Sequence, residues 1–188
     1  MGDDLVCLTD PGPQAFNIIT SMFLHGSWMH LLGNMWFLWL FGNNVEDSMT
    51  RPRFLAFYLL SGIGAAMLQV MIEPASRVPM VGASGAISGV MGAYLVLYPR
   101  ARVFTLVPLG FFITSIALPA WAMLIYWMVL QLLGGFTRIG AGGEGGVAFW
   151  AHVGGFAAGV VLVKLFARRD RVRAHVSHHF RPDRVGWR

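Results

Sequence analysis

Apolar residues fall along this chain in long segments separated by short polar breaks. Four are well bounded: about Trp28 to Val45, Phe54 to Ile72, Ala83 to Pro99, and about Ala148 to Ala167. Between the last two, a run from Val103 to Gly135 is too long for one upright helix and contains Pro108, Gly110 and Pro119. Proline suits the first turn of a helix, so this run predicts an interfacial, non-helical stretch and then a helix over 119–135. A membrane-crossing helix needs ~20 largely apolar residues. The pattern therefore predicts an all-α polytopic membrane protein with five spans, near 28–45, 54–72, 83–99, 119–135 and 148–167. The third is short, ~25 Å at 1.5 Å per residue against ~30 Å of hydrocarbon. With Pro99-Arg100 marking one end, the other end is expected to lie below the membrane surface, under a cavity open to water.

Two polar residues interrupt these segments where chemistry is suggested: Ser84 in Val81-Gly82-Ala83-Ser84-Gly85 and His152 in Trp150-Ala151-His152-Val153-Gly154-Gly155. A polar side chain facing lipid is costly, so one inside a span usually faces a partner or a wet cavity. Serine and histidine are the minimum pair for nucleophilic hydrolysis. Ser84 is expected to begin a helix, where free backbone N–H groups can hold a developing oxyanion. Ser84, Ser88 and Gly92 form one row of small residues at four-residue spacing, and Gly85, Gly89 and Ala93 the next. Gly155 and Gly159 repeat that spacing in the last span. Such faces let helices approach closely and would bring Ser84 to His152; the same glycines would also serve simple helix packing. The α/β-hydrolase elbow is excluded, because it needs Gly two residues after the serine and position 86 is Ala. Every acidic residue falls in a loop, a tail or a span end, so a Ser–His dyad is expected, with His152 passing the proton of Ser84 to the leaving amine.

The first span adds His25, His30 and Asn34. His30 and Asn34 stand four apart and share one helical face, where an asparagine amide can stabilise an oxyanion or the pair can hold two helices together. Zinc is not expected, since no His-Glu-x-x-His pattern or acidic ligand accompanies the histidines. His175, His178 and His179 are expected to be solvated in a basic tail over 171–188.

Of the 188 residues, 56% are apolar and 12% charged, and mean hydropathy is +0.60. That places the chain in the membrane class. The single cysteine, Cys7, excludes an internal disulfide. The net charge of +5 does not point to nucleic acid, because most of the basic residues lie from Lys164 onward, as at a cytoplasmic end. With the tail inside, the inner loops carry Arg51, Arg53, Arg100 and Arg102 and the tail eight more, against Arg77 and Arg138 outside. This bias puts the first residues outside and leads to the expectation that an N-terminal span is missing. The glycine-rich stretch 140–146 then lies outside, before His152, and is expected to gate substrate entry together with the fourth span.

Three segments in this order and spacing resemble the rhomboid family of intramembrane serine proteases, bacterial type: Phe23-Leu24-His25-Gly26-Ser27-Trp28-Met29-His30-Leu31-Leu32-Gly33-Asn34, Gly82-Ala83-Ser84-Gly85, and Ala151-His152-Val153-Gly154-Gly155-Phe156-Ala157-Ala158-Gly159. The resemblance covers about 16–167 and implies a rhomboid-like helical bundle in residues 1–170, with five of the usual six spans. It implies Ser84 as nucleophile, His152 as base, and His30, Asn34 and the Ser84 N–H as the oxyanion site. Gly82 and Ala83 would shape the loop before the nucleophile, Gly85, Gly155 and Gly159 would pack helices, and His25 and Glu46 would be structural. Some members stack an aromatic, four residues after the serine, on the histidine; here that position is Ser88. The implied reaction is hydrolysis of transmembrane protein substrates in or near the lipid bilayer, without cofactor, metal or nucleic acid. The implied place is a bacterial inner membrane, C-terminus cytoplasmic and site opening outward. The alternatives are a non-catalytic rhomboid-like binder of membrane proteins and an inactive truncated protease. A transporter is disfavoured, since the halves show no repeat or matched broken helices.

Overall fold

A computed structural model describes residues 15–74, 76, 79–109, 112–141 and 147–179. Cys7, the N-terminal acidic residues, Arg77, most of the glycine-rich stretch (142–146) and the end of the basic tail lie outside them. The chain order is α1 (Ala15–Ser21), α2 (Trp28–Phe37), a π turn (Leu38–Gly42), α3 (Asn43–Asp47), α4 (Arg51–Ile72), α5 (Ser84–Leu97), β1 (Arg102–Leu109), β2 (Phe112–Pro119), α6 (Ala120–Ala141), α7 (Phe149–Phe166) and α8 (Arg169–His179). Ser27 caps α2 by accepting the His30 N–H at 3.2 Å, which satisfies one of the donors a helix start leaves free. Proline in the first turn of α4 suits a position with no N–H to offer.

Among the described residues, three helices are long and apolar enough to cross a membrane: 51–72, 120–138 and 149–166, with mean hydropathies of 1.9, 1.4 and 1.6. No more than 39% of any of these windows is buried. Large apolar side chains such as Trp36, Met71, Phe136 and Leu165 point outward instead. Exposed apolar surface on this scale is the mark of a helical bundle built for lipid.

The interior is the crossing of α4, α5 and α7, with α5 buried from Gly85 to Tyr94. Small residues permit it. A Cβ on Gly85 would stand 2.7 Å from the Ala65 Cβ, and one on Gly64 2.8 Å from the Ala158 Cβ. A Cβ on Gly155 or Gly159 would run into the backbone carbonyl of Gly85 or Gly89. Without a hydrophobic drive between helices in lipid, such close backbone approach supplies the packing. Helix α5 has only 14 residues, or about 21 Å, so it is shorter than the bilayer core and its first residue starts inside the bundle.

Two features differ from expectation. The stretch after Pro99 is indeed non-helical up to α6, but it is an antiparallel hairpin, paired from Arg102↔Pro119 to Leu109↔Phe112. Pairing satisfies its backbone without burial, leaving Leu106 and Phe112 exposed. The tail, in turn, is not wholly solvated. Helix α8 folds back, and His175 is buried, with Nε2 3.1 Å from Asn44 Oδ1 and Nδ1 3.4 Å from Asp47 Oδ2. A histidine with two such partners gains more from docking than from water.

Candidate active site

The site lies at the end of the α4–α5–α7 crossing where α5 begins. The loop before it is tied down by the Gly82 N–H donating to the Ser21 carbonyl at 2.9 Å. Gly82 has φ +114°, which L side chains rarely adopt, and a Cβ there would stand 2.6 Å from His30 Cε1. Glycine is therefore required twice over, by conformation and by space. Two residues later, Ser84 is the first residue of α5. Its hydroxyl lies 2.8 Å from His152 Nε2. His152 is in the first turn of α7, a turn that α4 holds in place: the Ala151 N–H donates to Gln69 Oε1 at 3.1 Å. Gln69 in turn donates to Glu73 at 2.9 Å.

A cavity of about 760 Å³ opens over this pair, lined by Ser84, His152, His30, Asn34 and Gly82 among others. Asn34 is buried, and its Nδ2 donor has no hydrogen-bond partner. It lies 3.5 Å from where a Gly82 Cβ would be, beside the loop that delivers Ser84. An unpaired buried amide donor is unfavourable in a resting protein and useful where negative charge develops in a reaction. His25 sits edge-on to His30, ring centres 5.2 Å apart. Gly85, Gly155 and Gly159 hold the helix crossing beneath. Glu46 is not at the site: it lies at the opposite end of the α2–α3 run, 3.6 Å from the exposed Arg51. Among the described residues no cluster of metal-binding side chains occurs.

A family model, the Rhomboid domain, matches residues 12–169. The chain belongs to the rhomboid family. Rhomboid members act on transmembrane substrates within the bilayer, and the family holds both serine proteases and inactive proteins. The chain is 29% identical over 83% of its length to Rhomboid-like protein 11, chloroplastic, of Arabidopsis thaliana, covering 54% of that protein. It is 32% identical over 56% of its length to Rhomboid protein 1, mitochondrial, of Saccharomyces cerevisiae, covering 32%. It is 31% identical over 79% of its length to Rhomboid-like protease 5 of Toxoplasma gondii, covering 16%. The matches thus span about half or less of these rhomboid relatives.

Three further residues surround this rhomboid site. Ser88, where some members carry an aromatic, bonds back to the Ser84 carbonyl at 2.7 Å. The ring against His152 comes instead from α6: Trp127, centres 5.7 Å apart and tilted by 37°. One turn on, Gln131 Oε1 lies 2.8 Å from His152 Nδ1. Gln131 and Gln69 are polar residues inside apolar helices, so the criterion that singled out Ser84 and His152 applies equally to them.

Proposed function

We propose that this rhomboid is an intramembrane serine endopeptidase whose nucleophile is Ser84 and whose general base is His152. The observation that carries the reading is the 2.8 Å Ser84 Oγ–His152 Nε2 contact at the base of a cavity inside an apolar bundle. His152 accepts the hydroxyl proton as Oγ attacks the scissile carbonyl, then passes it to the leaving amine; water reverses the sequence to release the acyl group. Asn34 Nδ2, His30 and the backbone N–H of Ser84 receive the oxyanion. His25, Gly82, Gly85, Gly155 and Gly159 hold these groups in place, and Glu46 supports the far end of the first helix.

The substrates are transmembrane proteins. A helix hides its carbonyls in hydrogen bonds, so the scissile segment has to unwind before Ser84 reaches it. Segments weakened by Gly or Pro are therefore preferred. The arginine-rich loops and tail lie on one side of the membrane and the cavity opens on the other. The relatives quoted by compartment are chloroplastic and mitochondrial by name. They lend no support to a bacterial inner membrane.

The test is cleavage in liposomes of a single-span reporter in two forms, one with Gly-Pro in its span and one with leucines there. The parent should cut the Gly-Pro form faster and Ser84→Ala neither. Equal cutting by parent and Ser84→Ala would refute the reading.

A further inference from the structure

Besides Ser84, the His152 ring has a second polar partner on its far edge: Gln131 Oε1, 2.8 Å from Nδ1. Gln131 is buried on α6, 8% exposed, in the middle of an apolar helix. Its amide orientation is fixed by chemistry. The Nε2 end donates to the Trp127 carbonyl at 3.4 Å, and a carbonyl oxygen can only accept. The oxygen end therefore faces His152, and since it too can only accept, Nδ1 must carry the proton. A neutral imidazole holds one ring proton, so Nε2 is left with its lone pair toward Ser84. The Ser84 hydroxyl then has to donate, which is the arrangement a base needs.

We propose that Gln131 is a positioning residue that fixes His152 in this tautomer, taking the place a carboxylate holds in three-membered serine hydrolase sites. The proposal rests on the reading of Ser84 and His152 given above and extends it. As Ser84 Oγ bonds to the substrate carbon, its proton moves to Nε2 and the ring becomes an imidazolium with Nδ1–H still bonded to Gln131 Oε1. When the C–N bond breaks, the Nε2 proton leaves with the amine and the ring returns to the same tautomer. Gln131 gains and loses no proton. Trp127, one turn earlier on α6, packs against the ring face, so α6 controls both the ring's plane and its protonated edge.

The effect should be smaller than with a carboxylate, whose replacement by amide drops kcat ~10⁴-fold, because a neutral oxygen stabilises the imidazolium less. Gln131→Met keeps the volume and removes the acceptor. It should lower kcat roughly tenfold or more with KM nearly unchanged, as for an interaction felt mainly in the transition state. Gln131→Glu restores an acceptor oxygen and should recover most of that loss, which a packing role would not predict.

A second readout is independent of activity. Nitrogen NMR of the full chain in nanodiscs, ring-¹⁵N-labelled at histidine and assigned with His152→Gln, should find His152 protonated at Nδ1. In Gln131→Met, the Nε2–H form should gain population. A parent protonated at Nε2, or a Gln131→Met variant with parental kcat, overturns the proposal. Because the NMR result on the parent needs no cleavage, it decides the tautomer even if Ser84 proves unreactive, which would count against the proposed function alone.

Discussion

Two polar clusters interrupt the apolar interior, one at each end of α5, and they are built to opposite ends. At the C-terminal end of α5, Tyr98 bonds to the Ser48 hydroxyl and to the Asn44 carbonyl at 3.2 Å, and stacks near His175 at 5.2 Å. Asn44 in turn binds His175 and lies 3.5 Å from the Tyr94 hydroxyl. Ser48 is fully buried. At the N-terminal end of α5, Ser84 and His152 are only half-buried, a cavity reaches them, and the Asn34 donor is unpaired. Polarity within a membrane bundle therefore does not by itself mark a reactive site. A closed cluster whose members bind one another ties helices together; access and an unspent donor mark the cluster that can act on something else.

This contrast predicts opposite responses to mutation. The largest effect should come from His152→Ala, which should lower kcat by about 10⁴-fold or more, read as initial cleavage rate, with thermal stability held. Asn34→Ala should come next, at about 10² to 10³-fold in kcat; because it removes an unpaired donor, melting should not fall. At the C-terminal end of α5 the pattern should reverse. Tyr98→Phe deletes a buried hydroxyl with two partners and should destabilise by about 1–3 kcal/mol, measured by denaturation in mild detergent, while the kcat of the folded fraction stays within about twofold. The smallest effect should be Glu46→Gln: its pair with the exposed Arg51 is worth no more than about 0.5 kcal/mol. A loss of several kcal/mol there would mean that the closed cluster extends further than Tyr98 and its partners.

How much of this was legible in the chain depends on which physics placed each residue. Ser84, His152, His30 and Asn34 stand out as polar residues in apolar segments, and the four-residue spacing of Gly85 with Gly89 and of Gly155 with Gly159 points to the close helix crossing. Gln131 meets the same criterion, but a glutamine suggests no reaction alone and its partner depends on the rotation of α6 against α7. His175 could not be read: it sits among Arg171, Arg173 and His178, and its burial depends on α8 docking on α3. The hairpin was hidden for another reason. Its strands are apolar on both faces, so they lack the alternation that announces a half-buried strand; the excess length of the run, with Pro108, Gly110 and Pro119, signals only that the stretch is not one helix. Position 88, where some family members carry an aromatic for the histidine, is Ser here, and the ring on His152 is supplied from another helix by Trp127, which no local motif encodes.

The central claim is that the bundle activates one serine. Reconstituted chain should be treated with a fluorophosphonate probe and the adduct located by mass spectrometry, alongside Ser84→Ala and His152→Ala. The account predicts a single adduct on Ser84 in the parent, none in Ser84→Ala, and a strongly slowed one in His152→Ala. A well-folded parent that takes no adduct, or takes it as fast without His152, would contradict it.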